Sequence, residues 1–211
     1  MFIVIEGIDG AGKGRQRLEL IDYMEKKGVG KLDGTEFPDH QGVQYKNLIK
    51  PYLLSEIQIP KSALFLSFAL DQLLFEARIL KAKGNKTNHF ICDGYYTTNL
   101  VYNCLVDEFL SLEKALKFAS DFHIPIPDLN IFIDVEPEIA LSRKSKETGH
   151  DKGLDINEKD IKKQYKIREG FQKLIKGNVF GQWIVVNGRG SIEEVKKEII
   201  KELNESGLIV I

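Results

Sequence analysis

The side chains with the clearest chemistry lie within Met1 to Gln16, MFIVIEGIDGAGKGRQ. Gly7-Ile8-Asp9-Gly10-Ala11-Gly12-Lys13 has the spacing G-x4-G-K, that of a loop cradling phosphate between a strand and a helix. Glycines let the backbone curl so that its N–H groups face an anion. The helix beginning near Lys13 adds the positive end of its dipole. The Lys13 ammonium has the reach to touch the terminal phosphates of a nucleotide. The next position of such loops usually carries a Ser or Thr hydroxyl that ligates Mg²⁺; here it is Gly14, followed by Arg15. The competing reading is a glycine-rich turn that only joins strand to helix.

The elements that must position this loop follow from periodicity. Phe2 to Ile5 is a continuous apolar run, as expected of a strand buried on both faces. Further strands are expected over 31–37, 89–93, 129–135 and 183–186, with a short last one in Leu208-Ile209-Val210-Ile211. Leu18, Leu20, Ile21 and Met24 mark the helix after the loop. A modest helix over 41–55 is interrupted or ended by Pro51. A long one over 62–83, capped by Ser62, is apolar nearly all round and is expected to be central and buried. Helices follow over 95–108, 111–121, 137–145 (opened by Pro137), from a cap at Asn157 to 176, and from Ser191 onward. This alternation predicts an α/β fold, a mostly parallel five-stranded sheet between two helical layers. Ligands of such sheets sit past the carboxyl ends of the strands. The polar stretch 144–157, KSKETGHDKGLDIN, reads as a mobile loop inside a single domain spanning 1–211.

A net charge of −1 offers no broad positive field, which disfavours a nucleic-acid polymer as partner. No apolar run approaches the roughly 20 residues of a membrane span. Cys92 and Cys104 read as reduced packing thiols of a cytoplasmic protein.

Several stretches, in order along the chain, resemble the thymidylate kinase family, whose fold is of the P-loop type with a short lid. FIVIEGIDGAGKGRQ is similar to that family's phosphate loop with its G-x-D, and Phe37-Pro38 to its Phe-Pro element. Leu66 to Gln72, LSFALDQ, resembles its helix motif L-x-F-A-x-D-R. Asp93 to Asn103, DGYYTTNLVYN, resembles D-R-Y-x-x-S-x-x-A-Y-Q. Pro127 to Arg143 resembles P-D-L-x-I-F-L-D-V-x-P-E-x-A-L-x-R, and Asn187-Gly188 falls at the adenine-side loop.

The resemblance implies transfer of the γ-phosphate of ATP to dTMP, with Mg²⁺, by a homodimer. It implies that Gly7 to Arg15 hold the ATP phosphates, that Arg143 and the 144–157 lid close over them, and that Asn187 lies at the adenine. Asp9, Phe37, Pro38, His40, Phe68, Gln72, Thr98, Tyr102 and Asn103 match acceptor-binding positions, Phe68 as the ring that stacks on the base. Lys13, Asp9, Asp93 and Arg143 are the expected catalytic set, with Asp93 holding Mg²⁺ or orienting the acceptor. Each carries a plainer alternative: Asp9 as a cap on the loop amides, Phe68 as a core ring, Asp93 as a helix cap, Tyr102 as an ordinary helix residue.

Four positions depart from the family pattern. Gly14 replaces the Mg²⁺-ligating hydroxyl, Gly94 the phosphate-binding Arg of D-R-Y, Gln72 the base-reading Arg, and His40 another phosphate-binding Arg. Glycine supplies no charge, and a histidine is mostly neutral where an arginine would grip phosphate bidentately. Arg15, Arg17, Arg78 and the lid lysines are the cations that could compensate. The departures leave open another nucleotide or nucleoside acceptor, or a nucleotide-binding chain without turnover.

Overall fold

Five strands, β1 (Phe2–Glu6), β2 (Lys31–Glu36), β3 (Asn88–Asp93), β4 (Leu129–Asp134) and β5 (Trp183–Asn187), pair in parallel in the order β2-β3-β1-β4-β5. Residues 1–145 and 160–209 are described in this computed structural model. The central strand β1 is buried throughout, as its apolar run requires. Every strand ends on an acidic or amide residue: Glu6, Glu36, Asp93, Asp134 and Asn187. The carboxyl edge of the sheet is therefore lined with hydrogen-bonding groups, while the bodies of β1, β3 and β4 lie in the apolar core.

The helices are α1 (Lys13–Lys26), α2 (Lys50–Leu53), α3 (Lys61–Leu73), α4 (Glu76–Ala82), α5 (Tyr96–Leu100), α6 (Leu112–Asp121), α7 (Pro137–Lys144), α8 (Ile161–Lys176) and α9 (Ile192–Glu205). α1 and α9 pack together on one side of the sheet, and α4, α5 and α8 belong to the other layer. Tyr45–Ile49 and Val101–Val106 are π-helical turns that lead into α2 and extend α5. The expected three-layer α/β/α architecture with a parallel five-stranded sheet is thus present.

Four expectations about elements need correction. The helix over 62–83 is two helices, broken at Leu74 and Phe75, where the Phe75 ring turns in against Phe37 (5.2 Å between centroids) and Phe90 (6.4 Å). It is also not buried all round, since Leu66, Leu70, Leu74 and Leu80 are each about half exposed or more. α3 is preceded by Pro60 as N-cap, and Ser62 lies inside its first turn. α8 is capped by Asp160, whose carboxylate accepts from the Lys162 and Lys163 amides, and Asn157 lies outside the described residues. Of the expected last strand, Leu208 and Ile209 join no strand and Ile209 is buried in the core, while Val210 and Ile211 lie outside the described residues. Residues 146–157 of the expected lid also lie outside the described residues.

Candidate active site

The loop between β1 and α1 curls tightly. Gly10 has φ +82, and a β-carbon there would lie 2.4 Å from the Ala140 carbonyl oxygen of α7, so only glycine fits. The Ala11 amide closes the curl onto the Ile8 carbonyl (3.1 Å). Inside it, the Lys13 ammonium donates to the Ile8 carbonyl at 3.2 Å and lies 3.8 Å from the Asp9 carboxylate. Burial disfavours that ammonium, but Asp93, Asp9 and Glu6 outweigh it and raise the Lys13 pKa above its ordinary value.

These three carboxylates differ. Burial would raise Asp9, yet the charges of Lys13 and Lys144 and hydrogen bonds from Tyr102 and Gln164 leave it lowered and ionised. The Tyr102 hydroxyl donates to Asp9 at 2.9 Å and the Gln164 amide reaches it at 3.5 Å, so Asp9 does not serve as a cap on the loop amides and Tyr102 faces the site. Asp93 is raised by burial, which Lys13 and Arg17 only partly oppose. It does not cap α5, whose N-cap is Tyr95 without a side-chain bond. A β-carbon on Gly14 would lie 3.1 Å from the Asp93 carboxylate, which therefore faces the spot where such loops carry a hydroxyl. Glu6 is fully buried and pushed up to about 7 by that burial, against hydrogen bonds from the Thr97 and Thr98 hydroxyls. Thr98 donates to it at 2.8 Å and the Tyr95 amide at 3.1 Å. Glu6 thereby ties the start of α5 to the end of β1.

The acceptor-side candidates gather beyond β2 and along α3 and α5. Phe37 precedes a cis bond to Pro38 and packs its ring on Phe75 and Tyr95 (5.6 Å). His40 pairs with Glu36 at 2.9 Å and stacks near Tyr45, and the hydrogen bond to Glu36 raises its pKa. Phe68 is half-buried on α3 and stands outside the core cluster, unlike Phe65 on the same helix. Gln72 is buried with its side-chain oxygen unpaired among the described residues. Beside it Asp71 accepts from the Asp39 amide at 2.8 Å and is raised by burial to about 6. The Asn103 amide donates to the Asn99 side-chain oxygen at 2.6 Å.

On the donor side, Arg143 donates to the Arg189 (3.2 Å) and Gly190 (3.0 Å) carbonyls, and the Asn187 side chain accepts from the Arg189 amide (3.0 Å). Arg143 and Asn187 thus meet at the loop after β5. Arg15 pairs with Glu19 at 2.7 Å and is exposed. Sequence reading did not single out Glu6 or Gln164 as site groups, and it named Arg17 only as one of several cations that could compensate for the missing arginines. Glu6 had a signal, a carboxylate closing an apolar strand directly before the loop. Gln164 had none, being brought in from 155 residues away.

A family model described as thymidylate kinase matches residues 5–199. The chain belongs to the thymidylate kinase family. A probable thymidylate kinase of Pyrococcus abyssi is 30% identical over 94% of this chain and 93% of its own length. One of Methanosphaera stadtmanae is 30% identical over 83% of this chain and 84% of its own. The thymidylate kinase of Fervidobacterium nodosum is 28% identical over 97% and 98% of the respective chains. The family match takes in the phosphate loop, the strand ends and both ends of the expected lid.

Mg²⁺ suits the residues present. Among the described residues no three metal-binding side chains of the His, Cys, Asp and Glu types converge. Mg²⁺ needs no such cage, since it is commonly held by one or two carboxylates together with substrate phosphates. Asp93, facing the loop at Gly14, is the carboxylate in that position.

Proposed function

We propose that this chain is a working dTMP kinase, transferring the γ-phosphate of ATP to dTMP to give dTDP and ADP. The observation that carries the reading is the pairing of the Lys13-bearing phosphate loop with an ionised Asp9 held by Tyr102, one group from each side of the transfer. Phosphoryl transfer asks a protein mainly to align donor and acceptor in line and to neutralise developing charge. The loop amides and Lys13 take the donor phosphates. The acceptor lies between α3 and α5, its base against Phe68 and Gln72, its sugar toward Asp9 and Tyr102. Glu6 keeps α5 in register with the loop through Thr97 and Thr98. Asp93 would hold Mg²⁺, which supplies charge neutralisation on the phosphates when bound. Arg143 braces the adenine-side loop at Arg189 and Gly190.

The support for a homodimer is the exposed leucine row on α3 and after it, Leu66, Leu70 and Leu74, one helical turn apart. Among the described residues no helix is long and apolar enough to cross a membrane. The free, buried Cys92 and Cys104 suit a reducing cytoplasm.

The test is a coupled ADP-release assay with ATP–Mg²⁺ across dTMP, dUMP, dCMP, dGMP and thymidine. dTMP is expected to be the preferred acceptor. No turnover with dTMP at saturating ATP–Mg²⁺ would overturn the reading.

A further inference from the structure

Among the described residues, Lys13 and Lys144 are the cations whose charge reaches Asp9 in the phosphate loop. Lys13 is already shared among Asp93, Asp9 and Glu6. Gly94, directly after Asp93, contributes no side chain, and at φ +65 a β-carbon there would press on the Phe37 carbonyl (3.3 Å). Yet the acceptor carries a charged phosphate that must stand next to the γ-phosphate for in-line transfer.

The arginines sort themselves by their partners. Arg15 is taken by Glu19, Arg78 by Asp33 with its guanidinium over the Phe75 ring, Arg168 by Asp134, and Arg189 by Glu136. Arg143 is held by backbone carbonyls. Arg17 differs from all of them. Among the described residues it makes no hydrogen bond or close ion pair, and its buried Nε has no partner. Its placement is specific. On α1 it follows Gly14 by three residues and Lys13 by four, so it shares their face of the helix. Its charge acts on Glu36, Cys92 and Asp93. Glu36 and Asp93 are register partners at the carboxyl ends of β2 and β3. On the face of α1 that carries Lys13 and Gly14, the guanidinium is therefore within electrostatic reach of those strand ends, and among the described residues its donors have no partner.

We infer that Arg17 grips the phosphate of the acceptor nucleotide. This rests on the dTMP kinase reading and names the cation that reading lacks. A planar guanidinium offers paired N–H donors to two phosphate oxygens, which an ammonium cannot match. Glu36 and Asp93 attract it without taking its donors in a close pair.

The experiment measures the affinity of dTMP and of thymidine by calorimetry, with acceptor and ATP kinetics alongside, for the native chain, Arg17→Met and Arg17→Lys. The ratio of the two affinities isolates the phosphate. Arg17→Met is expected to weaken dTMP at least tenfold, to leave thymidine and the KM for ATP within about twofold, and so to collapse the ratio. Arg17→Lys should restore part of it, and it keeps the comparison available if the Met variant folds poorly. A ratio unchanged in both variants, or equal losses for dTMP and thymidine, would assign Arg17 a merely structural role and overturn the inference. If the native chain turns over dTMP while the variants match it, this inference alone fails. If the native chain neither turns over dTMP nor prefers it to thymidine, the kinase reading fails as well.

Discussion

Three carboxylates, from Glu6, Asp9 and Asp93, surround the single Lys13 ammonium. Lys13→Ala removes a charge-assisted contact to phosphate, of the order of 1.5–3 kcal/mol, so kcat/KM for dTMP should fall at least about tenfold to a hundredfold in steady-state assays. Glu6 predicts a pH effect on stability. Its pKa rises from an ordinary 4.5 to about 7 in the fold. The folded chain therefore keeps a proton that the unfolded chain has released between those values, and stability falls as pH rises through that window. The loss is up to about 3 kcal/mol once Glu6 ionises. Asp93, also raised, shares in the trend, while Lys13, raised from an ordinary value near 10.5, stays protonated in both states across this window and leaves the slope unchanged. Glu6→Gln should thus have a flatter decline of melting temperature between about pH 5 and about pH 8 than the native chain; an equal slope would count against it. Asp9, Lys13 and Asp93 were legible in the sequence, since their types sit at motif positions. Arg17 was only one of several candidate cations. What separates it from Arg15 and Arg78 is the absence of a partner among the described residues, and Glu19 and Asp33 could be matched to those arginines only once the helices were packed.

At the scale of elements, the phosphate loop is held from outside as well as by its own glycines. Gly10 touches the Ala140 carbonyl of α7, which comes from far along the chain. Gly10→Ala combines a strained φ with a steric clash, each costing of the order of 1–3 kcal/mol. A lower melting temperature and a raised KM for ATP are the expected outcome of thermal scans and kinetics. Helix and strand locations were readable because their periods are local. The break between α3 and α4 was not. A helix apolar on every face gives no periodic signal for where it turns, and Phe75 leaves the axis because Phe37 and Phe90 offer it rings from β2's end and β3. The cap of α8 moved from Asn157 to Asp160 for a similar reason: both residue types cap well, and the carboxylate position relative to the first amides decides.

At the scale of the molecule, the leucines left exposed on and beyond α3 carry the homodimer proposal. Leu70→Glu places a charge in that row, and sedimentation should show the native chain as a dimer and the variant shifted to monomer; a native chain that sediments as a monomer would remove the proposal. The amino-acid sequence by itself determined the alternation of strands and helices, the phosphate loop and the family, because these depend on spacing along the chain. Tertiary structure alone decided the strand order β2-β3-β1-β4-β5, the clamp of Tyr102 and Gln164 on Asp9, the burial that lifts Glu6, and the Arg17 guanidinium that has no partner among the described residues. Each of these depends on distances between residues far apart in sequence and on how much water is excluded from between them, and neither quantity is written in local order.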